Sequence, residues 1–370
     1  MPRLSPRVSR LCYDDRGAVS VLVAAVLGVG LLLGIGALVI DTGQLYGERA
    51  ELQNGADAAA FAIAQDCGDT DGCALDPYPM ATRYAGANAT DGFAAVTMVC
   101  GRASRGVVPL PACPAEDSAV SPCLGERSVA GNFVEVRAVT ERPGGSRVLP
   151  PTFGRVLLGD SYTGRGVLAC SRTAWGGPSV AYGFGMTISL CEWQAATLGG
   201  TVFAPAPPAT VASAFERVLT IHGAGLGCAG GASGWDLPGG FGWLEDRTGH
   251  CETQVDVAGR YLDTTGVAAS QACRDVLAAA VATREPMLVP IFDGAGGAGN
   301  TGYYHLRGFA SFVVTGYNLP GASALSTLTG KRLCSGDLKC VYGYFTRDLV
   351  PAGAVLGGPD LGATTVQAIG

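Results

Sequence analysis

The amino-acid sequence predicts an α+β protein with an N-terminal transmembrane helix that continues into an amphipathic stalk and a disulfide-rich extracytoplasmic head of mainly antiparallel strands. Three observations carry this prediction. Residues 18–40 are apolar and uncharged, twelve of the 13 cysteines follow residue 41, and the remaining chain alternates short β-branched or aromatic segments with turns rich in Gly and Pro.

The apolar run from Ala18 to Ile40 has 23 residues and contains no charged residue, Asn or Gln. At 1.5 Å per residue it reaches about 34 Å, enough to cross a bilayer. A secretory signal peptide is the alternative, but its apolar region is about 7 to 15 residues long and ends at a small-residue cleavage site, which is not evident here. Four arginines precede the run, against two aspartates. The positive-inside rule therefore predicts a single-pass protein of the cell membrane with a cytoplasmic N-terminus and an extracytoplasmic C-terminal head.

The charge balance excludes one class of partner. The chain has 25 basic and 31 acidic residues, and without its first 16 residues the balance is 21 to 29. Nucleic-acid binding is not expected, because phosphate contacts require a basic surface.

The stalk at 41–66 is predicted to be helical, since Leu45, Leu52 and Ala59 repeat every seven residues and form one apolar stripe. Three glycines in the same stretch each cost about 1 kcal/mol in a helix, so this helix needs a surface to pack on. Two surfaces remain open, the protein's own head and a partner. Within the membrane, Gly30 and Gly34 form a GxxxG motif, which lets two helices approach closely and suggests a homo-oligomer through the N-terminal helix.

Twelve cysteines in an oxidising compartment predict disulfides. Cys67 and Cys73 flank a loop rich in Gly and Asp and are the first candidate pair, and Cys334 and Cys340 have the same spacing. The other pairings stay open. Calcium binding by the aspartates at 66, 69 and 71 is an alternative for the first loop, although the order of ligands of an EF-hand is missing.

The head elements follow from periodicity and turn residues. The Pro-rich segment 204–210 cannot sustain a helix or a central strand, so it is predicted to link two lobes. The last 20 residues are expected to be frayed. Helices are predicted at 80–88, 150–158 and 268–283, and strands at 94–100, 132–141, 166–175, 186–193, 217–222, 287–292 and 303–317.

The N-terminal segment resembles TadE/TadG-like Flp (Tad) pilus-assembly proteins. The resemblance rests on 16–21 (RGAVSV), the long apolar helix, Asp41 at its outer edge, and the stalk residues Leu45-Tyr46, Arg49, Leu52-Gln53 and 56–60 (ADAAA). The cysteine-rich, Gly- and Ala-rich head resembles the actinobacterial TadG-related branch, and 151–153 (PTF) is similar to a motif in the strand–helix–strand region of the family. The sequence departs from the processed pilins, because Gly17 is present but Leu22 stands where they carry Glu. This departure argues against cleavage after Gly17 and against a filament subunit.

The resemblance implies a structural or assembly component of a Tad pilus system. Its partners would be the lipid bilayer and pilins or assembly proteins, and no cofactor is implied. The residues expected to contact a partner lie on the stalk: Asp41, Tyr46, Arg49, Leu52, Gln53 and Asp57. The predicted segments are a cytoplasmic basic segment (1–17), a transmembrane helix (18–40), a juxtamembrane stalk helix (41–66), a pilin-like α+β lobe (67–203), a Pro-rich linker (204–210) and a second β-rich lobe (211–370).

A membrane-anchored extracytoplasmic hydrolase or ligand-binding protein is the alternative function. Ser161 lies in a Gly-Asp-Ser sequence similar to that of GDSL esterases, but no Asp stands three residues before His222, His250 or His305. Gly294 to Gly299 fits GxGxxG, yet a strand rather than a helix is predicted after it. No CxxC pair suggests a zinc site. We therefore expect no catalytic, cofactor or metal residues and do not expect an enzyme.

Overall fold

The structure is a computed structural model that describes residues 15–69, 73, 76–104, 110–114, 131–155, 159–220, 241–246, 248–262, 269–296, 302–334, 336, 338–350 and 353–370. Within these ranges the chain forms one long N-terminal helix and a head in which two sheets, both mostly antiparallel, pack with shorter helices. The predicted fold class is confirmed.

The helices begin and end where local sequence allows. Pro77 precedes the second helix, and Ser189 and Ser270 cap the third and fourth, each accepting a backbone N–H in its first turn. The bounds are α1 Asp15–Asp69, α2 Tyr78–Asn88, α3 Leu190–Thr197 and α4 Gln271–Thr283, with a 3₁₀ turn at Ser213–Phe215.

The strands lie in two sheets. The first sheet has the order β1-β2-β3-β15-β13, and β7 and β14 also pair with β3; the second has the order β5-β12-β10-β9-β4-β6, and β8 and β11 also pair with β10. The bounds are β1 Ala94–Arg102, β2 Asn132–Thr140, β3 Leu168–Phe184, β4 Met186–Ser189, β5 Arg217–Thr220, β6 Phe241–Trp243, β7 Glu252–Asp256, β8 Arg260–Leu262, β9 Met287–Gly296, β10 Tyr303–Leu319, β11 Ala322–Ala324, β12 Cys340–Thr346, β13 Asp348–Leu349, β14 Val355–Gly358 and β15 Ala363–Ala368.

β3 connects the two sheets. Its first half pairs with β2 and β15, its second half pairs with β7 and β14, and the chain then enters β4 of the second sheet after Gly185. A buried cluster that includes Ala181 and Val255 of the first sheet and Phe292 and Phe309 of the second fills the space between them. The head is therefore one packed unit.

This arrangement revises the predicted division into lobes 67–203 and 211–370. The strand β15, from the C-terminal part of the sequence, lies in the first sheet beside β3. The start of the predicted linker at 204–210 is paired, because Ala204 donates its N–H to Phe345 and accepts a hydrogen bond from Thr346 Oγ1. The segment joins two parts that share their sheets, so it does not separate two domains.

Three local predictions also differ from the structure. The strand predicted at 186–193 ends at Ser189, whose hydroxyl oxygen caps α3 by accepting the N–H of Cys191. The last 20 residues are not frayed, because they supply β14 and β15, and Ala363 is buried. Of the helix predicted at 150–158, the structure describes only Gly154 and Arg155 as helical, and 156–158 lie outside the described residues.

Candidate functional site at the junction of anchor and head

The predicted anchor and the predicted stalk form one continuous helix of 55 residues, α1. Its N-terminal half is long and apolar enough to cross a membrane, and none of its most apolar stretch is buried in the protein. Twelve large apolar side chains between Val19 and Ile40 are exposed. An apolar surface of this extent is rare on a soluble protein and needs a nonaqueous cover. Gly30 lies in this stretch with open space around it, and Gly34, one turn later, is half-buried.

The C-terminal half of α1 is buried in the protein's own head. Leu52 and Ala56 pack with Ala85 of α2 and Ala138 of β2, and Ile63 belongs to a second buried cluster with Trp175 of β3. The predicted apolar stripe is therefore real, and it faces the first sheet and α2. Of the two surfaces that the sequence left open, the structure shows the head.

A glycine permits the closest approach of the two helices. A Cβ atom added to Gly55 would lie 3.0 Å from Ala85 Cα and 3.1 Å from the Ala85 carbonyl oxygen. These distances are shorter than ordinary carbon contacts, so α2 can rest on α1 only because position 55 has no side chain. The helix propensity lost at Gly55 is thus exchanged for packing against α2.

Asp41 joins the anchor to a distant part of the head. Its Oδ1 atom accepts the backbone N–H of Thr152 at 2.8 Å and that of Phe153 at 3.1 Å. One turn further along α1, Gln44 Oε1 accepts the Thr152 hydroxyl at 3.1 Å. Both motifs were noted separately in the sequence, and the structure brings them together across more than 100 residues. Asp41 thus binds its own chain, which corrects its predicted role as a partner contact.

A groove of about 560 Å³ lies directly above this contact, between α1 and the loops around Thr90 and Arg142. Glu48 and Glu51 of α1 line it together with Asp91. Burial raises the pKa of Glu48; the nearby carboxylates of Asp91 and Glu51 also raise it, whereas a hydrogen bond with Thr140 and the charge of Arg142 lower it. The groove is polar and acidic on its helix side, with one arginine facing it.

The other stalk residues named from the sequence divide into two groups. Leu52 is buried in the head, and Gln53 donates hydrogen bonds to Asp57 Oδ1 and to the backbone carbonyl of Cys170, both at 2.9 Å. Leu52 and Gln53 therefore make intramolecular contacts, because the apolar stripe packs on the first sheet. Tyr46, Arg49 and Asp57 are exposed.

The outward face of the stalk includes one residue that the sequence reasoning missed. Phe61 is 41% exposed, and Tyr46, 15 positions earlier, is 71% exposed. Ala50, Asn54 and Asp57 lie between them at helical spacing and are also exposed. Periodicity could have identified this face, since it is opposite the apolar stripe. We call the residues Tyr46, Ala50, Asn54, Asp57 and Phe61 the outward stalk face.

A buried ion cluster supports the sheet on which the stalk packs. Glu135 of β2 is fully buried and accepts from Arg137 at 2.7 Å and from Arg172 of β3 at 2.8 Å. The Cys100–Cys113 disulfide lies beside it. The sulfur atoms and the carboxylate are within 4.8 Å of one another, but the two thiols are bonded to each other and cannot act as thiolate ligands.

The structure pairs both cysteine couples that the sequence singled out. Cys67 is bonded to Cys73, and Cys334 to Cys340. Two further disulfides, Cys100–Cys113 and Cys251–Cys273, join loops to the sheets. Of the aspartates considered as calcium ligands, the first two lie on the last turn of α1 and Asp71 is outside the described residues.

The residues considered for catalysis are dispersed. Ser161 is exposed in the connection between β2 and β3, and His250 is exposed in the second half of the chain. His305 of β10 forms an ion pair with Asp293 of β9, with Nδ1 2.7 Å from Oδ1. The sequence search missed this pair because it tested only one spacing along the chain. Among the described residues, no serine, threonine or cysteine hydrogen-bonds to His305. His222 and 297–299 of the Gly-rich motif lie outside the described residues.

Comparison with known proteins identifies the N-terminal segment. Residues 17–66, 50 of the 370, match the model of the family described as putative Flp pilus-assembly TadE/G-like. No curated protein and no solved structure matches the chain. The family resemblance read from the residues is thus confirmed for this segment, which is nearly the whole of α1. The match does not distinguish the actinobacterial branch, which stays a prediction.

Proposed function

We propose that this protein is a non-enzymatic, membrane-anchored structural or assembly component of a Tad (Flp) pilus system. Its N-terminus would be cytoplasmic, and its head would be presented outside the membrane to pilins or assembly proteins. The observation that carries this proposal is the coincidence of the TadE/G-like segment, 17–66, with the helix that is exposed and apolar at one end and buried in the head at the other.

The shape of the chain favours an assembly component over a filament subunit. More than 300 residues follow α1, and they form a head that buries its stalk half. The absence of Glu at Leu22 also removes the residue that processed pilins carry after their cleavage site.

The outward stalk face is the surface that we assign to a pilus partner. It belongs to the family-matched segment, and it exposes two aromatic side chains, Tyr46 and Phe61, which the head does not cover. Exposed aromatic residues on a rigid helix are typical of the centres of protein interfaces. The 15 residues between them span about 22 Å of helix, long enough for a partner helix to lie alongside.

We leave catalysis out of the proposal because the Asp293–His305 pair lacks a hydrogen-bonded nucleophile within the described part of the chain. Pilus assembly should therefore be unchanged by His305→Ala. Loss of pili in that variant, with normal protein levels, would favour the hydrolase alternative.

Site-specific photo-crosslinking in cells tests the partner assignment. Photoreactive residues at Tyr46 and Phe61 should capture a pilin or pilus-assembly protein identified by mass spectrometry, and the same probe at Tyr182, an exposed tyrosine of β3, serves as the control. Deletion of the gene should abolish pili. Normal piliation after deletion, or protease accessibility of residues 1–16 from outside the cell, would contradict the proposal.

A further inference from the structure

The connection between β2 and β3 reaches the end of the apolar anchor. Leu149 and Arg165 pair by backbone hydrogen bonds in both directions, so the connection is a hairpin-like arm. Asp41, which holds the arm at Thr152 and Phe153, immediately follows Ile40, the last residue of the apolar run. Because α1 rises 1.5 Å per residue, the tip of the arm lies level with the boundary of the bilayer. We call 142–165 the membrane-proximal arm.

The described tip of this arm exposes apolar surface. Phe153 is 42% exposed although its backbone is fixed by Asp41, and Val148 is 36% exposed. Aromatic residues are enriched at the level of lipid headgroups, where the ring enters the interface and the backbone stays hydrated. An exposed phenylalanine held at this height has a defined environment in the protein's own membrane.

The charge of the arm differs from that of the rest of the protein. The arm contains four arginines and a single acidic residue, Asp160, in a chain of net charge −6. Arg147, Arg155 and Arg165 are exposed, and within the residues that the structure describes their side chains make no ion pair. Basic residues close to a membrane are attracted to anionic lipids over about one Debye length, 8 to 10 Å.

We propose that the membrane-proximal arm is a second membrane contact, which docks on the anionic phospholipid headgroups of the bilayer crossed by α1. Phe153 enters the interface, and Arg147, Arg155 and Arg165 contact the phosphates. A head attached only through α1 could rotate about the helix axis and tilt with it. A second contact fixes its orientation, so the outward stalk face points in a set direction along the membrane. The inference depends on the membrane anchor and not on the pilus role.

Fluorescence quenching by brominated phospholipids tests this contact on the full chain. The protein carrying Phe153→Trp is reconstituted in vesicles of phosphatidylcholine, with or without phosphatidylglycerol. The matched control is Tyr182→Trp, since Tyr182 is exposed and lies 14 residues along β3 from Leu168, about 46 Å at 3.3 Å per residue. Emission of the unsubstituted protein is subtracted from that of each variant.

We expect quenching of the indole at position 153 to exceed that at position 182 at least about twofold in anionic vesicles, and to decrease in phosphatidylcholine alone or at high salt. Combining it with Arg147→Gln, Arg155→Gln and Arg165→Gln should lower it similarly. Near-UV circular dichroism of each variant checks that the head is folded. Equal quenching at the two positions, or quenching that lipid charge and the arginine substitutions leave unchanged, would overturn the proposal.

Discussion

Gly55 is the position where one added methyl group tests how the stalk meets the head. In Gly55→Ala, helix propensity improves by about 1 kcal/mol, since Gly is among the poorest residues in a helix interior. The same substitution at Gly47, which has no heavy atom within 4 Å of an added Cβ, gains this propensity without a collision. The two positions are two turns apart in one helix, so they make a matched pair.

The packing term has the opposite sign at Gly55. The new Cβ would meet Ala85 Cα at 3.0 Å and its carbonyl oxygen at 3.1 Å, and both are backbone atoms that no side-chain rotation can move away. Relief requires α2 to shift, and overpacking of this kind costs about 1–3 kcal/mol. Subtracting the propensity gain leaves Gly55→Ala destabilised by about 0–2 kcal/mol, whereas Gly47→Ala is stabilised by up to about 1 kcal/mol. Gly55→Leu should exceed the cost of the alanine variant.

Hydrogen exchange followed by mass spectrometry measures this difference on the full chain in detergent micelles. Amides of α2 in Gly55→Leu should exchange about 5- to 150-fold faster than in the parent, the equivalent of 1–3 kcal/mol of local opening. In Gly47→Ala, the amides of 44–60 should exchange more slowly. If Gly55→Leu left the protection of α2 unchanged, the close packing of α1 on α2 would be refuted.

Three further predictions concern the head and the groove. Glu135→Gln leaves two buried arginines without their shared counter-charge, and should lower the free energy of unfolding by about 3–5 kcal/mol in guanidinium titrations; the exposed control Glu285→Gln should change it by less than about 0.5 kcal/mol. Glu48→Gln should stabilise the protein at pH 7: a raised folded-state pKa means that stability is lost as pH rises through it, so the benefit should vanish in thermal melts below the ordinary glutamate pKa of 4.5. Non-reducing peptide mapping should recover the Cys67–Cys73 bridge, and free thiols there would contradict the structure.

The sequence predicts the parts of this fold that depend on local pattern. The uncharged run 18–40 and the seven-residue repeat that begins at Leu45 predict α1, and the β-branched and aromatic alternation of β10 predicts a central strand. In each case the environment of a residue follows from its close neighbours in the sequence.

The parts that were mispredicted depend on distant residues. β15 has the sequence ATTVQA and is polar enough to read as a tail, yet pairing with β3 buries its first three residues. Similarly, Ser189 ends a strand because its hydroxyl can cap a helix, a choice that periodicity alone does not reveal. The contact between Asp41 and Phe153 joins residues 112 positions apart. Sequence pattern identified both as notable but could not bring them together.

The position of β15 in the first sheet has a consequence for how the chain is made. Until 363–368 have been synthesised, β3 has an open edge at 173–176, because these residues have no other strand on that side among the described residues. An unpaired strand edge invites association with other chains. The growing polypeptide must therefore keep this edge covered while nearly 190 more residues emerge, counted from 176 to 363, and a chain that stops before position 363 should aggregate rather than fold.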